Sequence, residues 1–136
     1  MANEIRIAIH QTSASTSEAA IRQHKIAIDR PAEKGGEDQG PMGGELFLAA
    51  IGGCFMSNLL AAIRGRQAEV SGVQTEVIGA LAESPARFTA VELNVTAKFS
   101  DREQFEKLVE IADRGCIMMN TLRGKLDINV RIAALV

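Results

Sequence analysis

The chain has 136 residues, of which 46% are hydrophobic and 24% charged, enough apolar content for one soluble domain and too much for disorder throughout. A formal net charge of -2 supplies no basic excess, so neither nucleic acid nor an anionic membrane is expected as a partner. Two cysteines with no CxxC, and with His10 and His24 remote from both, exclude a disulfide framework and make a zinc site a poor reading.

Residues 1–136 read as a single domain. The opening residues carry Glu4 and alternate in polarity, unlike a secretory signal, and a reducing cytoplasm is the expected setting. Ile5, Ile7 and Ile9 recur at the period of a half-buried strand, and Ile26 and Ile28 repeat the pattern after a polar connection, which predicts a hairpin. Both histidines read as ordinary surface or strand-end residues. Asp29 to Gly44 holds two prolines and five glycines, too many breakers for a regular element, and is expected to be a long functional or mobile loop.

Glu45 to Arg66 is predicted as a helix, apolar almost all round through Leu46, Phe47, Leu48, Ile51, Phe55, Met56, Leu59, Leu60 and Ile63. Its uncharged run from Leu46 to Ile63 reaches the length of a membrane span. Gly52, Gly53, Ser57 and Asn58 weaken that reading, and the amphipathic strands on either side need an apolar partner, so a buried core helix is expected. Val73, Val77 and Leu81 suggest one strand. Val91, Leu93, Val95, Ala97 and Phe99 alternate in a second, with a turn at Ser84-Pro85. Ser100 and Glu103 have the spacing of a capping box before a helix carrying Phe105, Leu108, Val109 and Ala112, which should end near Gly115. Leu126, Ile128, Val130 and Ile132 close the chain as a strand, giving an α+β order β-β-α-β-β-α-β.

Cys54 lies in the middle of the apolar helix, too deep for that helix's own N-terminus to stabilise a thiolate. By composition it reads as a buried small hydrophobe. A nucleophilic Cys54 would need a cation, and the candidates are Arg30, Arg87 and Arg114. Cys116 lies just past a helix end beside Arg114, where access and positive charge are both plausible, although a core-facing cap is its plainer reading. Asn120 reads as a turn or hydrogen-bonding residue.

The loop "GGEDQGPMGGELFLAAIGGC", the apolar helix bearing Cys54 and the later "GCIMMNTL" together resemble the OsmC/Ohr family over nearly the whole chain. The resemblance implies an intertwined homodimer with long central helices at its core. It implies a thiol-dependent peroxidase in which Cys54 attacks an organic hydroperoxide, Cys116 resolves the sulfenic acid as a disulfide, and a dithiol reductant recycles the pair. Carried over in the same way, Arg30, of the same or the other subunit, supports the thiolate, and Glu45 holds that Arg. Phe55, Met118 and Met119 become candidate substrate-binding residues, although a Met pair is more often core filling. No metal, flavin or haem is required. The chain departs from the family's pattern at Gly43 and Gly44, which stand where proline is common before the acidic residue, and at Ile117, where proline usually follows the second cysteine. The alternative is a non-catalytic OsmC-like protein whose dimer-interface pocket binds an apolar small molecule.

Overall fold

A computed structural model describes residues 3–133 and divides the chain into two compact units, one up to Phe47 and one from Leu48. The architecture is α+β, as expected. In the first unit, strands β1 (Ala8–Gln11), β2 (Ser17–Ile21) and β3 (His24–Ile28) form an antiparallel meander. The middle strand corrects the predicted hairpin. Ser17, Glu18, Ala19 and Ala20 have little intrinsic strand preference, and pairing on both edges holds them extended.

The predicted loop follows, regular only over a short 3-10 turn at Ala32–Lys34. Asp29 organises it from within. Its carboxylate, 3% exposed, accepts from Thr16 Oγ1 at 2.8 Å and from the backbone N–H groups of Arg30 at 2.7 Å, Glu37 at 3.1 Å and Gln39 at 3.2 Å. A side chain at Gly36 would collide with the Arg30 carbonyl, so glycine lets the loop close on the Arg30 backbone.

Helix α1 (Gly43–Gly65) begins in the first unit and continues through the second. Its buried residues, Ile51, Gly52, Phe55, Leu59 and Ala62, fall on one stripe at helical spacing. Within the single chain the helix is therefore not buried on most sides, and Leu60 is 44% exposed. It is also long and apolar enough to meet the length and composition test for a membrane span. At Gly52 a Cβ would meet Val77, so glycine allows the helix close to the sheet.

The second unit's sheet has the order β4-β5-β6, from β4 (Val70–Ala82), β5 (Arg87–Phe99) and β6 (Asp127–Ile132), with β4 antiparallel and β6 parallel to the central strand. Val91, Leu93, Val95 and Ala97 are buried along one face of β5, and register places Val77 opposite Leu93 and Val130 on its other side. Helix α2 (Arg102–Arg114) adds Phe105, Leu108, Val109 and Ala112 to this core, and the rings of Phe99 and Phe105 stack with centroids 5.0 Å apart. Each fully buried side chain of this size contributes about 1.5–3 kcal/mol.

The N-cap of α2 is Asp101, whose carboxylate accepts from the Gln104 N–H at 3.1 Å. This corrects the predicted capping box by one residue: Ser100 instead donates to Glu69 at 3.5 Å. The helix ends at Gly115, as its sequence indicates. A short helix α3 (Ile117–Leu122) follows at once and adds an element absent from the predicted order.

Candidate functional site

Cys54 lies on α1 beside the buried stripe, next to Phe55, and is half-buried. Cys116 is the single residue between the cap of α2 and the first turn of α3, and it is fully buried. Three bonds shape this turn. The Gly115 N–H donates to Ile111 at 3.0 Å, the Asn120 side chain donates to the Arg114 carbonyl at 3.0 Å, and the Asn120 N–H donates to the Cys116 carbonyl at 2.9 Å. Asn120 thus has the hydrogen-bonding role its sequence suggests.

The turn carries Cys116 to Cys54, and the two side chains hydrogen-bond as free thiols. Their acidities are driven apart. Burial raises the Cys54 pKa, but the Met118 N–H, the Cys116 S–H and the Ile117 N–H all donate to its sulfur and bring it below the usual thiol value. Burial raises the Cys116 pKa, and the hydrogen bond to Cys54 and the charge of that sulfur raise it further against the N–H groups of Met119 and Met118. Cys54 is therefore the more acidic of the two thiols.

The donors to Cys54 are main-chain groups at the start of α3, a source that the sequence reasoning missed because α3 was not recognised as a helix. The second missed residue is Asn58, one turn beyond Cys54. Its Nδ2 lies 3.1 Å from the Cys54 carbonyl, 3.9 Å from Cys54 Sγ and 3.4 Å from the Gly115 carbonyl. An asparagine four residues after the cysteine in an otherwise apolar run was the available signal.

Of the candidate cations, Arg114 pairs with Glu110 at 2.6 Å, and Arg87 donates to the carbonyls of Glu83 and Pro85. Arg30 is exposed on the loop organised by Asp29. Glu45 accepts from the Met42 N–H at 2.8 Å and so caps the start of α1; among the described residues no ion pair joins it to Arg30. Phe55 and Met119 are fully buried, Met118 is half-buried, and Ile117 is 70% exposed. A separate polar cleft of about 550 Å³ in the first unit is lined by Pro31, Lys34, Asp38 and Glu45 among others, and contains no cysteine.

The family model described as OsmC-like protein matches residues 36–131. No curated protein matches the chain. Among solved structures, the OsmC-like protein from Mycoplasma pneumoniae is similar over 100% of each chain, with a TM-score of 0.82 and 19% identity. An organic hydroperoxide resistance protein OsmC from Legionella pneumophila has a TM-score of 0.73 and 22% identity, covering 97% of this chain and 98% of its own. The organic hydroperoxide resistance protein OhrB of Bacillus subtilis has a TM-score of 0.67 and 23% identity, covering 94% and 96%. These likenesses establish a shared fold.

Proposed function

The chain belongs to the OsmC-like family, and on that footing we propose that it is a thiol-dependent peroxidase that reduces organic hydroperoxides through Cys54 and Cys116. The observation that carries this reading is the hydrogen-bonded thiol pair with oppositely displaced acidities. The Cys54 thiolate attacks the outer oxygen of the hydroperoxide, the O–O bond breaks, and Cys54 becomes a sulfenic acid while the alkoxide takes a proton and leaves as the alcohol. The Cys116 sulfur then displaces the sulfenic oxygen as water, forming the disulfide. A dithiol reductant in the cytoplasm returns both sulfurs to thiols and is itself oxidised to a disulfide.

Exposed Ile117 and half-buried Met118, next to the second thiol, support a preference for an apolar peroxide. The exposed apolar side of α1, with Leu60, and the exposed Ile7 and Ile9 support a homodimer that covers them. The family pattern offers Arg30 as a cation for the thiolate, while within the chain the Glu45 carboxylate is engaged by the Met42 N–H.

Treatment with one equivalent of cumene hydroperoxide should lower the intact mass by two hydrogens, with peptide mapping joining Cys54 to Cys116. A Cys54→Ser variant should lose peroxidase activity, and a Cys116→Ser variant should accumulate Cys54 sulfenic acid. A Cys54→Ser variant with undiminished turnover overturns the proposal. A slow-reacting wild type that copurifies with an apolar small molecule would instead indicate a binding protein.

A further inference from the structure

The Asn58 amide faces more acceptors than it has hydrogens. Two N–H bonds serve the Cys54 carbonyl at 3.1 Å, the Gly115 carbonyl at 3.4 Å and Cys54 Sγ at 3.9 Å. The first of these bonds lies within α1 and is the ordinary way an asparagine side chain bonds back one turn. The other two are different in kind. One reaches the sulfur that ionises. The other crosses 57 positions of sequence to the carbonyl immediately before Cys116.

That carbonyl belongs to the cap of α2, where the last turn of a helix leaves oxygens without intrahelical donors. Its neighbour, the Arg114 carbonyl, is taken by Asn120. Two asparagine side chains thus fasten the turn that carries the second thiol, but only Asn58 does so from the helix bearing the first. A leucine or alanine would suit an apolar helix better on propensity alone.

We propose that Asn58 is a positioning residue for the thiol pair: its amide ties Cys54 on α1 to the α2–α3 turn and turns an N–H toward the Cys54 sulfur. The tie keeps Cys116 within reach of Cys54 while Cys54 is oxidised, and the N–H favours the ionised sulfur over the thiol. The inference rests on the peroxidase reading of these thiols, but its first test does not require turnover. Asn58 acts through the sulfurs and not on the peroxide itself.

The test uses the full chain with Cys116→Ser, so that Cys54 is the only thiol. The pH dependence of iodoacetamide alkylation, followed by intact mass, is compared with and without Asn58→Ala and Asn58→Asp. Asn58→Ala removes the donor and should raise the alkylation midpoint by about half a pKa unit, roughly a threefold slower reaction below the midpoint. Asn58→Asp keeps the shape but replaces the donor with an anion, and should raise it by about one unit or more, roughly tenfold. With Cys116 restored, Asn58→Ala should also slow conversion of the sulfenic acid to the disulfide, an effect that a purely structural role for the side chain in α1 would not produce.

An alkylation midpoint unchanged in Asn58→Ala overturns the proposal, and since alanine favours helices, the variant is expected to retain its circular dichroism. A wild-type chain that alkylates with the Asn58-dependent midpoint but does not form a disulfide with peroxide would sink the peroxidase reading and leave the Asn58 assignment standing.

Discussion

Asp29 in the first unit and Cys54 in the second are both acids whose ionised form is favoured by hydrogen bonds from the main chain, yet the two sites differ in how far those bonds enclose the acid. Asp29 accepts three backbone N–H groups and the Thr16 hydroxyl, and its carboxyl lies well below the usual carboxylate range because these donors outweigh the burial that opposes them. All of that capacity is spent within the first unit, on the loop and on the β1–β2 turn that holds Thr16. Cys54 accepts two backbone N–H groups and a thiol, but the residue remains half-buried where Asp29 is buried. A carboxylate enclosed on this scale fixes a loop, whereas the proposed function needs a sulfur that its cradle leaves accessible.

Removing the Asp29 acceptor should have the largest effect. Asp29→Ala leaves the Glu37 and Gln39 N–H groups without their partner, and their amide exchange should approach that of an open loop, while the second unit's core amides stay protected. The same comparison has a pH signature. A depressed carboxyl contributes stability that is fully present above the unfolded value, near 4, and is lost as pH falls through the folded one. Protection of Glu37 and Gln39 should therefore hold at pH 4 and fail only in stronger acid. Loss of protection already between pH 6 and 5 would show that Asp29 does not organise the loop.

A single-donor change comes next in size. Ile117 is the first residue of α3, a position where proline is well tolerated, and Cys116 before it has φ -81° and ψ 120°, the extended conformation that a following proline requires. Ile117→Pro should therefore remove one N–H from the Cys54 sulfur with little disturbance of the turn. The alkylation midpoint of Cys54 should rise by about one unit, roughly a tenfold loss of rate at neutral pH. An unchanged midpoint would mean that the remaining donors, Met118, Cys116 and Asn58, suffice.

The strongly periodic elements were legible in the sequence: β5 and α2 show their buried face directly through Val91 to Ala97 and Phe105 to Ala112, and β6 its half-buried one through Ile128 to Ile132. The middle strand β2 was not, because Ser17 to Ala20 owes its extended state to neighbours on both sides. Both cysteines could be named as candidates, and the family pattern supplied their pairing. The groups that tune Cys54 could not be named, since a backbone N–H carries no residue signature and its direction depends on where α3 starts. Among side chains, only a cation such as arginine carries a residue signature for stabilising a thiolate. Among the described residues, the groups that reach the sulfur are amides and a thiol.

The smallest expected effect decides how much an arginine adds. Arg30 is exposed, and an exposed guanidinium acts through solvent and is screened by salt, whereas the N–H groups of Ile117 and Met118 touch the sulfur directly. Arg30→Ala should therefore raise the Cys54 alkylation midpoint by less than Ile117→Pro does, by about half a unit or less. The two contributions also separate by ionic strength: raising salt from 0.05 to 0.5 M should erase the difference between wild type and Arg30→Ala while leaving the Ile117→Pro shift intact. If Arg30→Ala instead gives the larger shift and salt does not diminish it, the thiolate is held chiefly by a desolvated cation, and the parallel between Cys54 and Asp29 fails.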